Sequence, residues 1–138
     1  MTKKNGSKYK PTETEKFMGA KQKAYFRKKL LDWKNQLLVD ARDTLSNLQE
    51  SSLQEPDVAD RASKESDHAL ELRTRDRQRK LLNKIEEALE RIDAGTFGYC
   101  EESGEPISLK RLEARPIATL SLESQERHEK MEKVYRDN

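Results

Sequence analysis

The chain has one cysteine, five glycines, four prolines and 6% aromatic residues, and no uninterrupted apolar run longer than three residues. Each scarcity excludes something. A lone Cys100 forms no internal disulfide, so nothing calls for an oxidising compartment. A signal peptide needs about 7–15 consecutive apolar residues and a membrane span about 20, and neither is present. The expectation is a soluble, cytoplasmic protein without a membrane partner. Hydrophobic residues make up 33% of the 138, against about 45–50% in an ordinary globular chain. That excludes a thick core and, with it, the deep pocket a demanding enzyme requires.

Charge is abundant instead, at 39% of residues. With 28 basic and 26 acidic side chains the net charge is only +2, so the chain is a polyampholyte, and electrostatics alone gives no case for nucleic acid. Dense charge of both signs with little Gly and Pro points to long, solvent-washed helices.

Residues 1–19 read as an N-terminal arm, partly flexible, in which Thr12-Glu13-Thr14-Glu15 has the spacing of a capping box at the start of a short helix. From about Gly19 to Glu50, Phe26, Leu30, Trp33, Leu37, Ala41, Leu45 and Leu48 step by three or four, one face of a helix. Ser51-Ser52-Leu53-Gln54-Glu55-Pro56 breaks it. A second helix is expected from Val58 to about Asp93, with Asp57 as cap and Ala62, Ala69, Leu70, Leu81, Ile85, Ala88, Leu89 and Ile92 as its apolar side; Ala94-Gly95-Thr96 closes it. The proline break favours an antiparallel hairpin over residues 20–94, with its tip near 51–62, over a parallel intermolecular coiled coil, which needs one unbroken heptad seam. At 1.5 Å per residue each helix would measure about 45–55 Å. Residues 95–138 hold three of the five glycines and two of the four prolines, and read as a small turn-rich unit ending in a helix from about Leu120 to Arg136. The expected fold class is therefore mainly all-α: a long helical hairpin, a small globular unit and a C-terminal helix.

Positions 100 and 103, then 121 and 124, have the spacing of a four-cysteine zinc finger, with 17 residues between the pairs. The residues there are Cys100, Ser103, Ser121 and Ser124. A neutral hydroxyl is a poor zinc ligand, so the expectation is a degenerate finger without metal, held by Phe97, Tyr99, Ile107, Leu109, Leu112, Ile117 and Leu120 and by hydroxyl hydrogen bonds. With no resolving cysteine, Cys100 reads as an inert thiol. His68 and His128 carry no assigned role. Arg73-Thr74-Arg75-Asp76-Arg77-Gln78-Arg79-Lys80 holds five cations and one anion. It reads as a solvated face, as a partner for acids of the facing helix such as Asp32, Asp40 or Asp43, or as a dock for an acidic protein surface or a phosphate-bearing ligand.

The stretch Leu70-Glu71-Leu72-Arg73-Thr74-Arg75-Asp76-Arg77-Gln78-Arg79-Lys80-Leu81, then Phe97-Gly98-Tyr99-Cys100, then Arg111-Leu112-Glu113-Ala114-Arg115-Pro116 resembles the DksA family of bacterial transcription factors, over about Tyr25 to the end. Family members commonly carry zinc, and this chain resembles the cysteine-poor subset. The resemblance implies a non-enzymatic factor that binds RNA polymerase without reading DNA. Its coiled coil enters the secondary channel, and with the alarmone ppGpp it destabilises open complexes, repressing ribosomal RNA promoters and activating others.

Carried over residue by residue, the resemblance makes Asp57, Asp60 and Ala62 the tip near the polymerase active site, with Arg73, Arg77 and Lys80 as the docking stretch. Leu81, Lys84 and Arg115 match the surface that helps hold ppGpp, and Gln125 stands where a further basic residue is expected. Without the resemblance, Asp57 is a helix cap and Asp60 a first-turn acid that suits the helix dipole. A monomer is expected. The rivals are a dimerising coiled-coil adaptor, a transcript-cleavage factor with magnesium on the two tip carboxylates, and a DNA-binding finger, whose mark would be steep salt dependence.

Overall fold

The computed structural model describes residues 9–52 and 58–137, apart from the side chains of residues 51, 52, 58–61 and 137. It is mainly helical: α1 spans Ala20–Ser52, α2 Val58–Ala94, α3 Leu109–Ala114 and α4 Leu122–Asp137. Among the described residues there is no strand, only an isolated antiparallel bridge between Tyr99 and Pro106. No described helix is long and apolar enough to cross a membrane. Asp57 and the break at Leu53–Pro56 lie outside the described residues.

The chain divides into two compact units, Met1–Leu30 with Glu87–Asn138, and Leu31–Glu86. In the first, Phe26 and Leu30 of α1 are fully buried with Ala88 and Ile92 of α2 and with Phe97, Ile107 and Leu112 beyond it. Phe26 and Phe97 pack ring to ring at 5.5 Å. α2 ends as the Ala-Gly-Thr signal predicts. Gly95 has φ +82°, its N–H donates to the Ile92 carbonyl at 3.3 Å, and the Thr96 N–H reaches back to Arg91 at 2.9 Å. That is the Schellman pattern, in which glycine takes the left-handed position without a Cβ clash.

The region 12–15 is a turn and not the expected helix. One half of the capping box forms, with the Thr12 N–H donating to Glu15 Oε2 at 3.0 Å. The Thr12 hydroxyl, instead of capping, donates to the same carboxylate at 3.1 Å. The C-terminal helix starts at Leu122 because Ser121 caps it, its Oγ accepting the Ser124 N–H at 3.2 Å. Tyr99, expected inside the small unit, is exposed.

In the second unit α1 and α2 pair antiparallel, with Lys34 against Glu86 at 3.5 Å and Thr44 against Gln78 at 3.5 Å. Leu37 and Ile85 are buried, while Trp33, Ala41, Leu45 and Leu48 are half-buried. The expected apolar side of α2 holds at Leu81 and Ile85 but fails further toward the N-terminus, where Ala62, Ala69 and Leu70 are exposed. Continued by steps of three and four, the stripe through Ile85 passes Gln78, Thr74, Glu71 and His68, each of which is half-buried. His68 Nε2, Glu71 Oε2 and Gln78 Oε1 are buried there without a hydrogen-bond partner.

Candidate functional site

The residues singled out from the sequence fall into three places. The first is the start of α2, where Asp60 lies in the first turn and Ala62 is exposed.

The second place is the basic stretch of α2. Arg73, Arg77 and Lys80 are all exposed, and their spacing of four and three residues puts them on one helical face. Asp76 pairs with Arg79 at 2.7 Å and with Lys80 at 3.1 Å. The hydrogen bond and charge of Lys80 hold its carboxyl below the usual value against an opposing effect of burial, with Arg79 adding less. Of the acids of α1 suggested as partners, Asp40 accepts from Gln36 at 3.0 Å, and no described ion pair joins the run to Asp40 or Asp43. The helix neutralises its own C-terminal end of the run, while Arg73, Arg75 and Arg77, all exposed, have no ion-pair partner among the described residues. Three guanidinium forks therefore face solvent, with the geometry that suits carboxylate or phosphate. One turn on, Leu81 is half-buried and Lys84 exposed.

The third place is the small unit. Arg115, exposed, follows α3, and its backbone N–H donates to Arg111 at 2.7 Å. α3 is capped by Ser108, whose Oγ accepts the Arg111 N–H at 3.2 Å. The Arg111 side chain in turn holds the Leu120 carbonyl at 2.9 Å. Glu113 of α3 takes the ammonium of Lys29 at 2.8 Å and the hydroxyl of Tyr25, both from α1. Burial pushes Glu113 up, but hydrogen bonds from Lys29 and Tyr25 and the Lys29 charge outweigh it and leave it below the usual carboxylate value. Tyr25 is pushed up to about 12 by burial and by Glu113. Gln125 donates to Glu129 at 3.2 Å.

Cys100, Ser103, Ser121 and Ser124 do come together. Ser124 is fully buried and Cys100 nearly so. The Cys100 thiol donates to Ser124 Oγ at 3.3 Å, the Ser121 and Ser124 hydroxyls lie 3.2 Å apart, and Arg127 donates to Ser124 Oγ at 3.1 Å. Burial alone would raise the Cys100 thiol. The hydroxyls of Ser103 and Ser124 and the backbone N–H groups of Ser103 and Ser121 outweigh it and bring the thiol down to about 5. Outside this cluster, Glu102 meets His128 at 2.6 Å. One thiol and three hydroxyls, with Ser121 also serving as a helix cap, are not a donor set that fits tetrahedral zinc, which takes thiolates and imidazoles.

Sequence reasoning missed the segment before α1. Gln22, almost fully buried, accepts the Met18 N–H at 2.8 Å and donates to the Thr12 carbonyl at 3.1 Å. The only advance signal was Phe17-Met18, an apolar pair within an otherwise polar arm.

The family model "DnaK suppressor protein DksA, N-terminal domain" matches residues 22–92, and "Prokaryotic dksA/traR C4-type zinc finger" matches residues 95–130. A Caulobacter vibrioides protein named RNA polymerase-binding transcription factor DksA is 58% identical over 132 residues, covering 96% of this chain and 93% of the relative. Its Escherichia coli namesake is 43% identical over 115 residues, covering 83% and 76%. The solved structure of transcription factor DksA2 from Pseudomonas aeruginosa superposes with TM-score 0.83 at 36% identity, covering 96% of this chain and 99% of that one. With both halves matched in order, a relative at 58% identity and the same fold in a solved structure, the chain belongs to the DksA family.

Proposed function

We propose that this chain is a non-enzymatic transcription factor that binds RNA polymerase, enters its secondary channel, and modulates open-complex stability together with ppGpp. It represses ribosomal RNA promoters and activates others. The observation that carries the proposal is the 58% identity across 96% of the chain to a relative named for binding RNA polymerase. The unpaired Arg73 and Arg77, with Lys80 beside them, supply a docking face of the right chemistry for an acidic protein surface. Asp57, Asp60 and Ala62 act at the tip. Leu81, Lys84 and Arg115 contact the alarmone, and Gln125 in place of a cation removes one phosphate contact and weakens that binding. The protein acts as a cytoplasmic monomer without sequence-specific DNA binding. Its finger works without zinc; in support, the Cys100 thiol and the Ser121 and Ser124 hydroxyls at the ligand positions hydrogen-bond to one another.

In vitro transcription from a ribosomal RNA promoter, with purified polymerase and with or without ppGpp, tests the reading on protein assayed for zinc. Repression by zinc-free protein that deepens with ppGpp is the expected result. No effect from folded, monomeric protein would overturn it.

A further inference from the structure

The small unit faces a physical problem. A structural metal ordinarily supplies much of the folding free energy of a finger, and Cys100–Ser124 with Ser121–Ser124 replace it by two single hydrogen bonds, each contributing far less. Something else must hold residues 97–107 closed. The segment before α1 is placed to do so.

Phe17 lies edge-on to the Tyr99 ring at 5.3 Å. It also lies over the backbone of Gly98, where an added Cβ would stand only 3.1 Å from Phe17 Cζ and 3.3 Å from the Met18 methyl. Gly98 has φ +88°, and its carbonyl accepts the Ile107 N–H at 2.7 Å. Two residues on, the Cys100 N–H donates to Glu105 at 2.8 Å. The ring thus presses on the strand-like stretch that carries Cys100.

The segment is itself built to stay in place. Met18 is buried with φ +52°, a left-handed conformation that is strained for a non-glycine residue and persists only where its surroundings enforce it. Gln22 enforces it, spending both ends of a buried amide on Met18 and Thr12. Tyr9 anchors the far end, donating to Glu15 at 2.8 Å and stacking edge-on against Tyr25 at 6.0 Å.

We infer that residues 9–19 form a strap that takes over the metal's task, and that Phe17 is the positioning residue that keeps the Cys100 knuckle closed through Gly98 and Tyr99. The inference rests on the metal-free reading of the finger.

The reactivity of the buried Cys100 thiol toward Ellman's reagent under native conditions reads knuckle opening directly. Phe17→Ala is expected to raise the labelling rate by about tenfold or more with helicity retained, and Phe17→Leu, which keeps bulk over Gly98, to return it to within about threefold of the parent. Leu37→Ala, in the other unit, lowers the melting temperature without a comparable rise in labelling. Phe17→Ala and Tyr99→Ala should combine less than additively, as contacting residues do. Phe17→Ala labelling no faster than the parent, or no faster than Leu37→Ala, in zinc-free protein overturns the strap alone. Stoichiometric zinc in the parent protein overturns the metal-free reading and the strap with it.

Discussion

The ammonium of Lys29 lies 2.8 Å from the Glu113 carboxylate, so a residue of the first helix is tied to the short helix that carries Leu-Glu-Ala-Arg-Pro. Tyr25, one turn earlier, donates to the same carboxylate. The pair joins segments 84 residues apart in the chain, and its titration gives the first prediction.

Glu113 is held below its usual value, so its contribution to stability is present above the unfolded value of 4.5 and is lost as pH falls through the lower folded value. Both side chains are about a third or more exposed, so solvent screening limits the effect to about 0.5–1 kcal/mol. Glu113→Gln should lower the melting temperature at pH 7 by a few degrees, and the difference should shrink as pH falls below 4.5. Tyr25 shows the opposite sign: its neutral form is favoured in the fold, so stability falls as pH rises from 10.0 to about 12. Tyr25→Phe should flatten that alkaline slope, and an unchanged slope would show that the hydroxyl does not titrate in the contact.

Cys100 provides a second pH window. With its folded value near 5 against 9.0 for a free thiol, the native state binds fewer protons between those limits, so this group's contribution to stability grows with pH across them. Thiolate absorbance near 240 nm should titrate close to pH 5. Cys100→Ser should keep fold and promoter activity, while its deficit in melting temperature grows as pH rises from about 5 to 9.0, since serine supplies no thiolate. A large deficit already present below pH 5, where the thiol is neutral, would assign the thiol an essential packing or metal role.

Asp60→Asn should leave helicity and polymerase affinity nearly unchanged and abolish the promoter effects. Competition binding and transcription assays on the same preparation decide it. Equal loss of affinity and activity would remove the tip assignment.

Among the basic residues of α2, pairing should sort the effects. Arg77, unpaired, has its guanidinium free for a partner, whereas Arg79 is already engaged by Asp76. Arg77→Ala is expected to weaken polymerase binding by about tenfold and Arg79→Ala by less than about threefold. Equal effects would mean that only total charge matters, and then both should vanish alike at high salt.

The seam between α1 and α2 offers a gain of stability. His68 is half-buried with Nε2 buried and without a partner. Replacing an unsatisfied polar group by an apolar one of similar size removes its desolvation cost, so His68→Leu should stabilise the protein by about 1 kcal/mol. A drop in melting temperature would show that the imidazole is satisfied in solution.

The sequence by itself determined the helices. Phe26, Leu30 and Leu37 recur at the helical period, and Gly95 closes α2, because these signals act within a turn or two of the backbone. It also placed Cys100, Ser103, Ser121 and Ser124 together, since finger spacing is a local matter of two knuckles. What only the tertiary structure decided depends on contacts between distant segments. Leu70 looked like core and is exposed, while Glu71 and His68 lie half-buried on the seam, because helix geometry continues a stripe whatever its chemistry. Phe17 could not be read from an otherwise polar arm as the residue pressed on Gly98, because its target lies some eighty positions away and no periodicity spans that distance.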